Sequence, residues 1–137
     1  MPPFFDTNVL VYLVDAGAEP QKQEVARGLV QEHLAGGNGS VSVQVLREFY
    51  WSSRRLRTPV SEKTARKAVE YFAGFSPLAE DADMVLRAVR RHQEMSLSFR
   101  DALIVEAALK AGADRLLTED MQHGQVIEGM RVENPFL

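Results

Sequence analysis

The segment Phe4-Phe5-Asp6-Thr7-Asn8-Val9-Leu10-Val11 decides the predicted fold, because it joins a short apolar strand to a helix through an aspartate. Phe4 and Phe5 are predicted to form a buried strand that ends at Asp6, and the apolar residues at 9–14 are predicted to form a first helix. A second apolar strand, at 115–118, is also followed closely by acidic residues. Strands that alternate with helices indicate an α/β domain with a mainly parallel sheet.

The remainder of the chain continues this alternation. Helices are predicted at 21–34, 43–56, 61–72, 81–93 and 98–111, and further strands at 40–42 and 130–132. The predicted fold is therefore a short, mainly parallel central sheet surrounded by helices. The chain has 137 residues, which is the length of about one domain, so we expect a single domain over residues 1–137.

The composition excludes several classes of protein. The chain contains no cysteine, which rules out a disulfide scaffold, a cysteine-based zinc site and a cysteine nucleophile. No segment approaches the roughly 20 apolar residues that a membrane span needs. The first residues, Met1 to Asp6, have neither the basic nor the apolar region of a signal peptide. We therefore expect a cytoplasmic location.

The charge distribution leaves two interpretations open. The net charge is −3, whereas nucleic-acid-binding proteins usually carry a basic surface. Basic residues are nevertheless concentrated in two stretches, at 47–67 and 87–100. These stretches are either solvated helix faces or basic flanks beside an acidic pocket.

Four acidic residues are placed where the functional crevice of such a sheet is expected. Asp6 and Asp120 follow predicted strands, Asp101 lies in the first turn of a predicted helix, and Glu48 lies early in another. The crevice lies beyond the carboxyl ends of parallel strands, so these four side chains are expected on one side of the sheet. Each also has a structural explanation. Asp6 and Asp120 could cap helices, Ser98 and Asp101 could form a capping box, and Glu48 could be exposed.

Convergence of the four acids would require a compensating charge. Two carboxylates about 4 Å apart repel by about 4 kcal/mol at an effective dielectric constant near 20. Without cysteine or a histidine cluster, an all-oxygen site favours Mg²⁺ or Mn²⁺. Such ions bind phosphate and activate water, which indicates hydrolysis of a phosphodiester bond.

Several segments of the chain resemble those of a known family. The segments at 5–12, 42–50, 97–104 and 116–124, with Asn134-Pro135-Phe136, resemble the PIN-domain nucleases, in particular the VapC-type toxins of bacterial toxin–antitoxin pairs. The resemblance implies a three-layer α/β/α fold and endonucleolytic cleavage of RNA with Mg²⁺ or Mn²⁺, leaving a 3′-hydroxyl and a 5′-phosphate. It also implies a homodimer and inhibition by a small antitoxin protein.

The resemblance also assigns roles to individual residues. It implies four catalytic, metal-site acids and two supporting polar residues: Asp6, Glu48, Asp101 and Asp120, with Asn8 and Thr118. Arg100 is a departure, because relatives often carry an aromatic residue just before this aspartate. Arg100 is expected either to bind an RNA phosphate or to act as the charge partner of a neighbouring acid.

Other functions remain open at this stage. A DNA nuclease could carry similar acids, and a non-catalytic module could bind Mg²⁺ in an acidic pocket. A receiver-like module is disfavoured because Asp6 stands alone and no lysine follows Lys110. A pure binding partner, whose acids serve only as helix caps, is a further alternative. Phe49, Tyr50 and Trp51 could stack on bases, but their helical spacing favours packing in the core or in a dimer.

Overall fold

The computed structural model describes residues 2–137 and has the predicted α/β architecture: a mostly parallel sheet with helices around it. The strands are β1 (Pro3–Phe5), β2 (Arg115–Leu117), β3 (Val126–Ile127) and β4 (Met130–Glu133). The α-helices are α1 (Thr7–Val11), α2 (Pro20–Leu29), α3 (Val43–Ser53), α4 (Glu62–Ala73), α5 (Ala82–Met95) and α6 (Phe99–Lys110). A π-helix, Val30–Leu34, continues directly from α2.

The sheet order places the ends of β1 and β2 side by side. The strands are arranged β1-β2-β4-β3, with β1 and β4 parallel to β2 and with β3 antiparallel to β4. Phe5 is paired with Leu117 at the carboxyl ends of β1 and β2. The residues of β1 are all buried, as expected for a parallel strand covered on both faces. The residues that follow β1 and β2 therefore emerge next to each other.

Helix α6 is the central helix of the domain. Its residues Ala102 to Ala108 are all buried, so the helix has almost no solvent-exposed face after its first turn. The Ser98 hydroxyl caps its start by accepting a hydrogen bond from the Asp101 amide at 3.0 Å. Residues in this first turn therefore have a fixed backbone position. None of the helices among residues 2–137 is both long and apolar enough to cross a membrane.

The structure differs from the sequence-based predictions of local structure at several places. The first helix, predicted over 9–14, begins at Thr7 and ends at Val11. Residues 40–42 form no strand of their own: Ser40 makes an isolated parallel bridge to Phe4, and Ser42 makes one to Leu78. The helix predicted over 21–34 changes to π geometry at Val30. The two-residue strand β3 was not predicted, because it is too short to show an alternating pattern.

Candidate active site

Asp6 lies at the junction of β1 and α1, where the fold buries it completely. Its amide donates a hydrogen bond to the Leu117 carbonyl at 3.0 Å, which extends the pairing of β1 with β2 by one step. Its carboxylate accepts hydrogen bonds from the Thr7 amide and from the Thr118 hydroxyl, both at 2.7 Å. Asp6 therefore does cap α1, but its second oxygen is held by the residue that follows β2.

Glu48 reaches the same region from helix α3. Its carboxylate accepts hydrogen bonds from the Thr7 hydroxyl at 2.8 Å and from the Gln44 side-chain amide at 3.1 Å. Gln44 is buried one turn earlier on the same helix, and Ser42 caps the helix start. Glu48 is thus a partly buried carboxylate with defined partners, and not an exposed helix residue.

Asp101 and Asp120 complete the group of acids. Asp101 follows Ser98 in the first turn of α6, as the capping-box pattern requires, but its carboxylate accepts a hydrogen bond from Arg100 Nη1 at 3.0 Å. Asp120 lies in the loop after β2, where its amide donates to the Thr118 hydroxyl at 3.1 Å. No helix follows Asp120 directly in residues 2–137, so the helix-cap interpretation of this residue is wrong.

Arg100 lies between the four carboxylates. Its guanidinium donates hydrogen bonds to Asp6 at 2.7 Å, to Asp101 at 3.0 Å and, through Nε, to both oxygens of Glu48 at 3.1 Å. Its Nη1 lies 3.9 Å from Asp120 Oδ2. The structure thus places Arg100 in the second of its two expected positions, as a charge partner of the acids. One guanidinium facing four carboxylates leaves this cluster with excess negative charge when all four are ionised.

The pKa values show how strongly the acids and Arg100 depend on each other. Burial would by itself raise the pKa of Glu48, but the hydrogen bonds and charge of Arg100 hold that pKa below its ordinary value. Burial opposes the charge of Arg100, yet its bonds to Asp6 and Glu48 outweigh burial and raise the pKa of the guanidinium. Burial and the nearby charge of Asp6 raise the pKa of Asp120. Ionisation is therefore disfavoured at Asp120 and favoured at Glu48.

The two predicted supporting residues, Asn8 and Thr118, lie within the hydrogen-bond network around Asp6. Thr118 is fully buried, donates to Asp6 and accepts a 3.4 Å bond from the Asn8 side-chain amide. The Asn8 side-chain oxygen accepts a bond from the Glu119 amide at 3.3 Å. Both residues therefore connect the start of α1 to the loop after β2, on either side of Asp6.

Two residues that hold the carboxylates in place were not predicted from the sequence. Thr7 contacts both Asp6 and Glu48, and Gln44 supports Glu48 from the preceding helical turn. A signal for Gln44 was available, since residues i and i+4 share a helix face and Gln44 precedes Glu48 by four. Thr7 had no comparable signal, because its side chain meets Glu48 only through the tertiary fold.

A cavity of about 710 Å³ opens beside the cluster. Its walls include Glu48, Arg100 and Asp120 from the cluster, with Tyr12 and Trp51 as aromatic surfaces. Phe49 is fully buried, as core packing predicts, whereas Trp51 is 60% exposed and does not pack in the core; its packing in a dimer stays a prediction. The cluster is therefore accessible from solvent through a cavity whose volume is in the range of typical small-molecule binding sites.

The comparison with protein families decides the classification. The model described as "PIN domain" matches residues 4–127, which is most of the chain. The chain belongs to the PIN domain family. This assignment supports a hydrolase that acts on nucleic acid, and the mostly parallel sheet agrees with the PIN fold. Comparison with curated proteins gave no significant match.

Solved structures share the fold over almost the whole chain. A toxin–antitoxin complex from Klebsiella pneumoniae matches with a TM-score of 0.70 and 20% identity, covering 97% of each chain. VapC20 from Mycobacterium tuberculosis, described as a sarcin-ricin loop cleaving toxin, matches with a TM-score of 0.65 and 24% identity, covering 86% of this chain and 91% of that one. VapBC2 from Rickettsia felis, bound to a promoter DNA fragment, matches with a TM-score of 0.65 and 16% identity, covering 98% of both.

The lowered pKa of Glu48 predicts a specific pH dependence of stability. Ionised Glu48 stabilises the fold above the ordinary glutamate pKa of 4.5, and this contribution is lost as the pH falls through its lower folded-state pKa. The raised pKa of Asp120 acts with the opposite sign, but its side chain is 54% exposed and contributes less. We expect the free energy of unfolding of the Glu48→Gln variant to decrease less than that of the wild type on acidification.

Chemical denaturation followed by circular dichroism at neutral and acidic pH measures this difference. Glu62→Gln is the matched control, because Glu62 is an exposed glutamate whose side chain is 78% accessible. The control is expected to show the wild-type pH dependence. The same acid-induced loss in Glu48→Gln as in the wild type would contradict the assignment of Glu48 to the ion-pair network.

Proposed function

We propose that this PIN domain is a metal-dependent endoribonuclease and the toxin of a toxin–antitoxin pair. The observation that carries the proposal is the convergence of Asp6, Glu48, Asp101 and Asp120 around one cationic group at the carboxyl ends of β1 and β2. Capping of α1 gives Asp6 a structural role of its own, but that role does not account for the other three carboxylates at the same place.

The four acids fit a divalent ion by their chemistry. All the candidate ligands are carboxylate oxygens, which Mg²⁺ and Mn²⁺ prefer, and the guanidinium of Arg100 marks a position where they already accommodate positive charge. In the present arrangement of the side chains, no group of three acidic or histidine residues within residues 2–137 is placed to hold one ion. The carboxylates would therefore have to close in around a metal that is smaller than a guanidinium.

The residues around such a site would have different roles. A bound Mg²⁺ or Mn²⁺ would supply an activated water and would neutralise charge on the leaving oxygen. Asp6, Glu48 and Asp101 would hold the ion, and Asp120, which lies on a loop and is more exposed, would bind it more weakly or orient the water. Thr118 and Asn8 would support Asp6, since ligand orientation depends on such second contacts.

The cavity beside the acids supports a single-stranded nucleic acid as the substrate, and the resemblance to VapC-type toxins implies RNA. Trp51 is largely exposed there, and the Arg55 guanidinium lies 3.0 Å from the centre of its ring. Arg47, which lines the same cavity, is exposed. Aromatic rings that stack on bases, combined with arginines beside them, are typical of surfaces that bind unpaired nucleotides. Arg100 would contact a phosphate only if its guanidinium left the acids.

The proposal extends to partners. The solved structures with this fold include a toxin–antitoxin complex and a VapBC complex, so we propose a small antitoxin protein that covers the acidic cavity. We also propose a homodimer, as the resemblance to VapC-type toxins implies, and a cytoplasmic location, as expected from the sequence. Residues 1–137 would act as one nuclease domain.

Parallel cleavage assays on RNA and DNA test the activity directly. We expect the purified protein to cut single-stranded RNA with Mg²⁺ or Mn²⁺, to be inactive in EDTA, and to leave DNA of the same sequence intact. Asp101→Asn is expected to reduce the rate by at least about a hundredfold, the scale of losing one charge-stabilising group. Gel analysis of end-labelled substrates measures both rate and product ends.

Asp83→Asn is the matched control, because Asp83 is an exposed aspartate on α5 that pairs with Arg87 outside the cluster. It is expected to cleave RNA at the wild-type rate. Cleavage of DNA in preference to RNA would replace the ribonuclease proposal with a DNA nuclease. Metal-independent cleavage, or an Asp101→Asn variant as active as the wild type, would contradict the proposed mechanism.

Trp51 provides a second prediction, because it is the single tryptophan of the chain and reports on the cavity alone. We expect single-stranded RNA to quench the fluorescence of the Asp101→Asn variant, which is used so that the RNA stays intact. Adding Trp51→Ala is expected to weaken RNA binding by about 1–3 kcal/mol, the value of one base stack. Titrations monitored by fluorescence and by anisotropy of labelled RNA give the two results.

Tyr71→Ala serves as the control for an exposed aromatic side chain, since Tyr71 is 50% exposed on α4 and does not line this cavity. Its loss is expected to leave RNA affinity unchanged. Tryptophan emission that stays constant at saturating RNA would place the bound strand away from Trp51.

A further inference from the structure

We propose that Arg100 is an internal counter-ion which occupies the metal position of the metal-free protein and is exchanged for the metal when it binds. This inference rests on the proposed metal site. It assigns Arg100 the role of a positioning residue that keeps the acids assembled before the ion arrives and lowers their affinity for it.

The contacts of Arg100 are those of a cation at the centre of the site. A single guanidinium reaches all four carboxylates within 4.0 Å, and it forms hydrogen bonds with three of them. Its Nη2 donates to the buried carboxylate of Asp6, which has no access to solvent. A buried carboxylate without a partner is costly, so the guanidinium stabilises the metal-free arrangement.

A metal ion and the guanidinium cannot use these oxygens together. The bonds from Arg100 to Asp6 and Asp101 are 2.7–3.2 Å long, and both oxygens of Asp6 are among the acceptors. A magnesium ion requires oxygens at about 2.0–2.1 Å in octahedral geometry. With the guanidinium between them, the acids are held too far apart to reach one ion, which agrees with the lack of a three-ligand group in residues 2–137. Two positive groups at one position would also repel each other.

Arg100 has a route out of the cluster. Its side chain is 33% exposed and forms part of the cavity wall, so the guanidinium can turn toward solvent without disturbing the core. Its backbone stays fixed, because the Ser98 cap holds the first turn of α6 and Arg100 precedes the buried stretch of that helix. The movement therefore needs only side-chain rotation, and it brings a positive charge to the cavity.

The exchange predicts that removing the guanidinium strengthens metal binding. We expect Arg100→Gln to bind Mn²⁺ about tenfold or more tightly than the wild type, a size similar to the roughly 5–150-fold changes typical of coupled binding equilibria. In EDTA the same variant is expected to unfold at a lower temperature than the wild type, because the acids lose their counter-ion. Added Mn²⁺ should therefore raise its unfolding temperature by more than that of the wild type.

Isothermal titration calorimetry with Mn²⁺ alone and thermal unfolding in EDTA or Mn²⁺ measure these effects without relying on cleavage. Arg100→Lys keeps the charge but cannot contact three carboxylates as a planar fork does, so we expect an intermediate affinity. Arg91→Gln is the matched control: Arg91 is a largely buried arginine that pairs with Glu106 and Glu128 elsewhere in the domain. Its loss should leave the affinity for Mn²⁺ unchanged.

The outcomes separate this inference from the proposed function. Equal or weaker Mn²⁺ binding by Arg100→Gln and Arg100→Lys, with normal binding by the wild type, would overturn the exchange and leave the nuclease proposal intact. A similar gain in affinity in Arg91→Gln would also overturn it, because net charge alone would then explain the effect. Absence of Mn²⁺ binding in every variant, including the wild type, would contradict both the exchange and the metal site.

Discussion

Repulsion among four carboxylates is the constraint on which the site depends. Each pair of ionised groups about 4 Å apart costs about 4 kcal/mol at an effective dielectric constant near 20, so the acids converge only with compensation. Arg100 provides part of it, and hydrogen bonds from Thr7, Gln44 and Thr118 provide more. The excess negative charge that remains supports the proposal that the cluster binds a divalent ion.

Elements of the fold position three of the four acids despite their mutual repulsion. Parallel pairing of β1 with β2 places Asp6 beside Thr118 through backbone hydrogen bonds, so the most buried acid is positioned by the most rigid part of the chain. The buried helix α6 brings Asp101 to the same edge from its capped first turn. Glu48 arrives from α3, whose start is also capped by a serine. Rigid elements carry the three inner acids, and Asp120 lies on a loop.

The sequence predicted the architecture and the convergence of the four acids because both depend on local pattern, while the role of these acids at a metal site stays a prediction. A strand that ends at Asp6, and a carboxylate within the apolar segment around Glu48, are visible without the structure. The position of Arg100 was not decided by the sequence, since the direction of a guanidinium depends on where Asp6 and Glu48 lie in space. Residues 40–42 were predicted as a strand because sequence alternation does not distinguish an isolated bridge from a ladder. In the structure, Ser40 and Ser42 pair with Phe4 and Leu78 only through isolated bridges.

Crystals of the protein grown with Mn²⁺ and measured at the manganese absorption edge would test the central claim most directly. The account predicts an anomalous peak between the carboxylates of Asp6 and Asp101, with Glu48 closed in toward it and the Arg100 guanidinium turned into the cavity. The absence of a peak at saturating Mn²⁺, with the Arg100 guanidinium still between the four acids, would contradict the view that this cluster is a metal site.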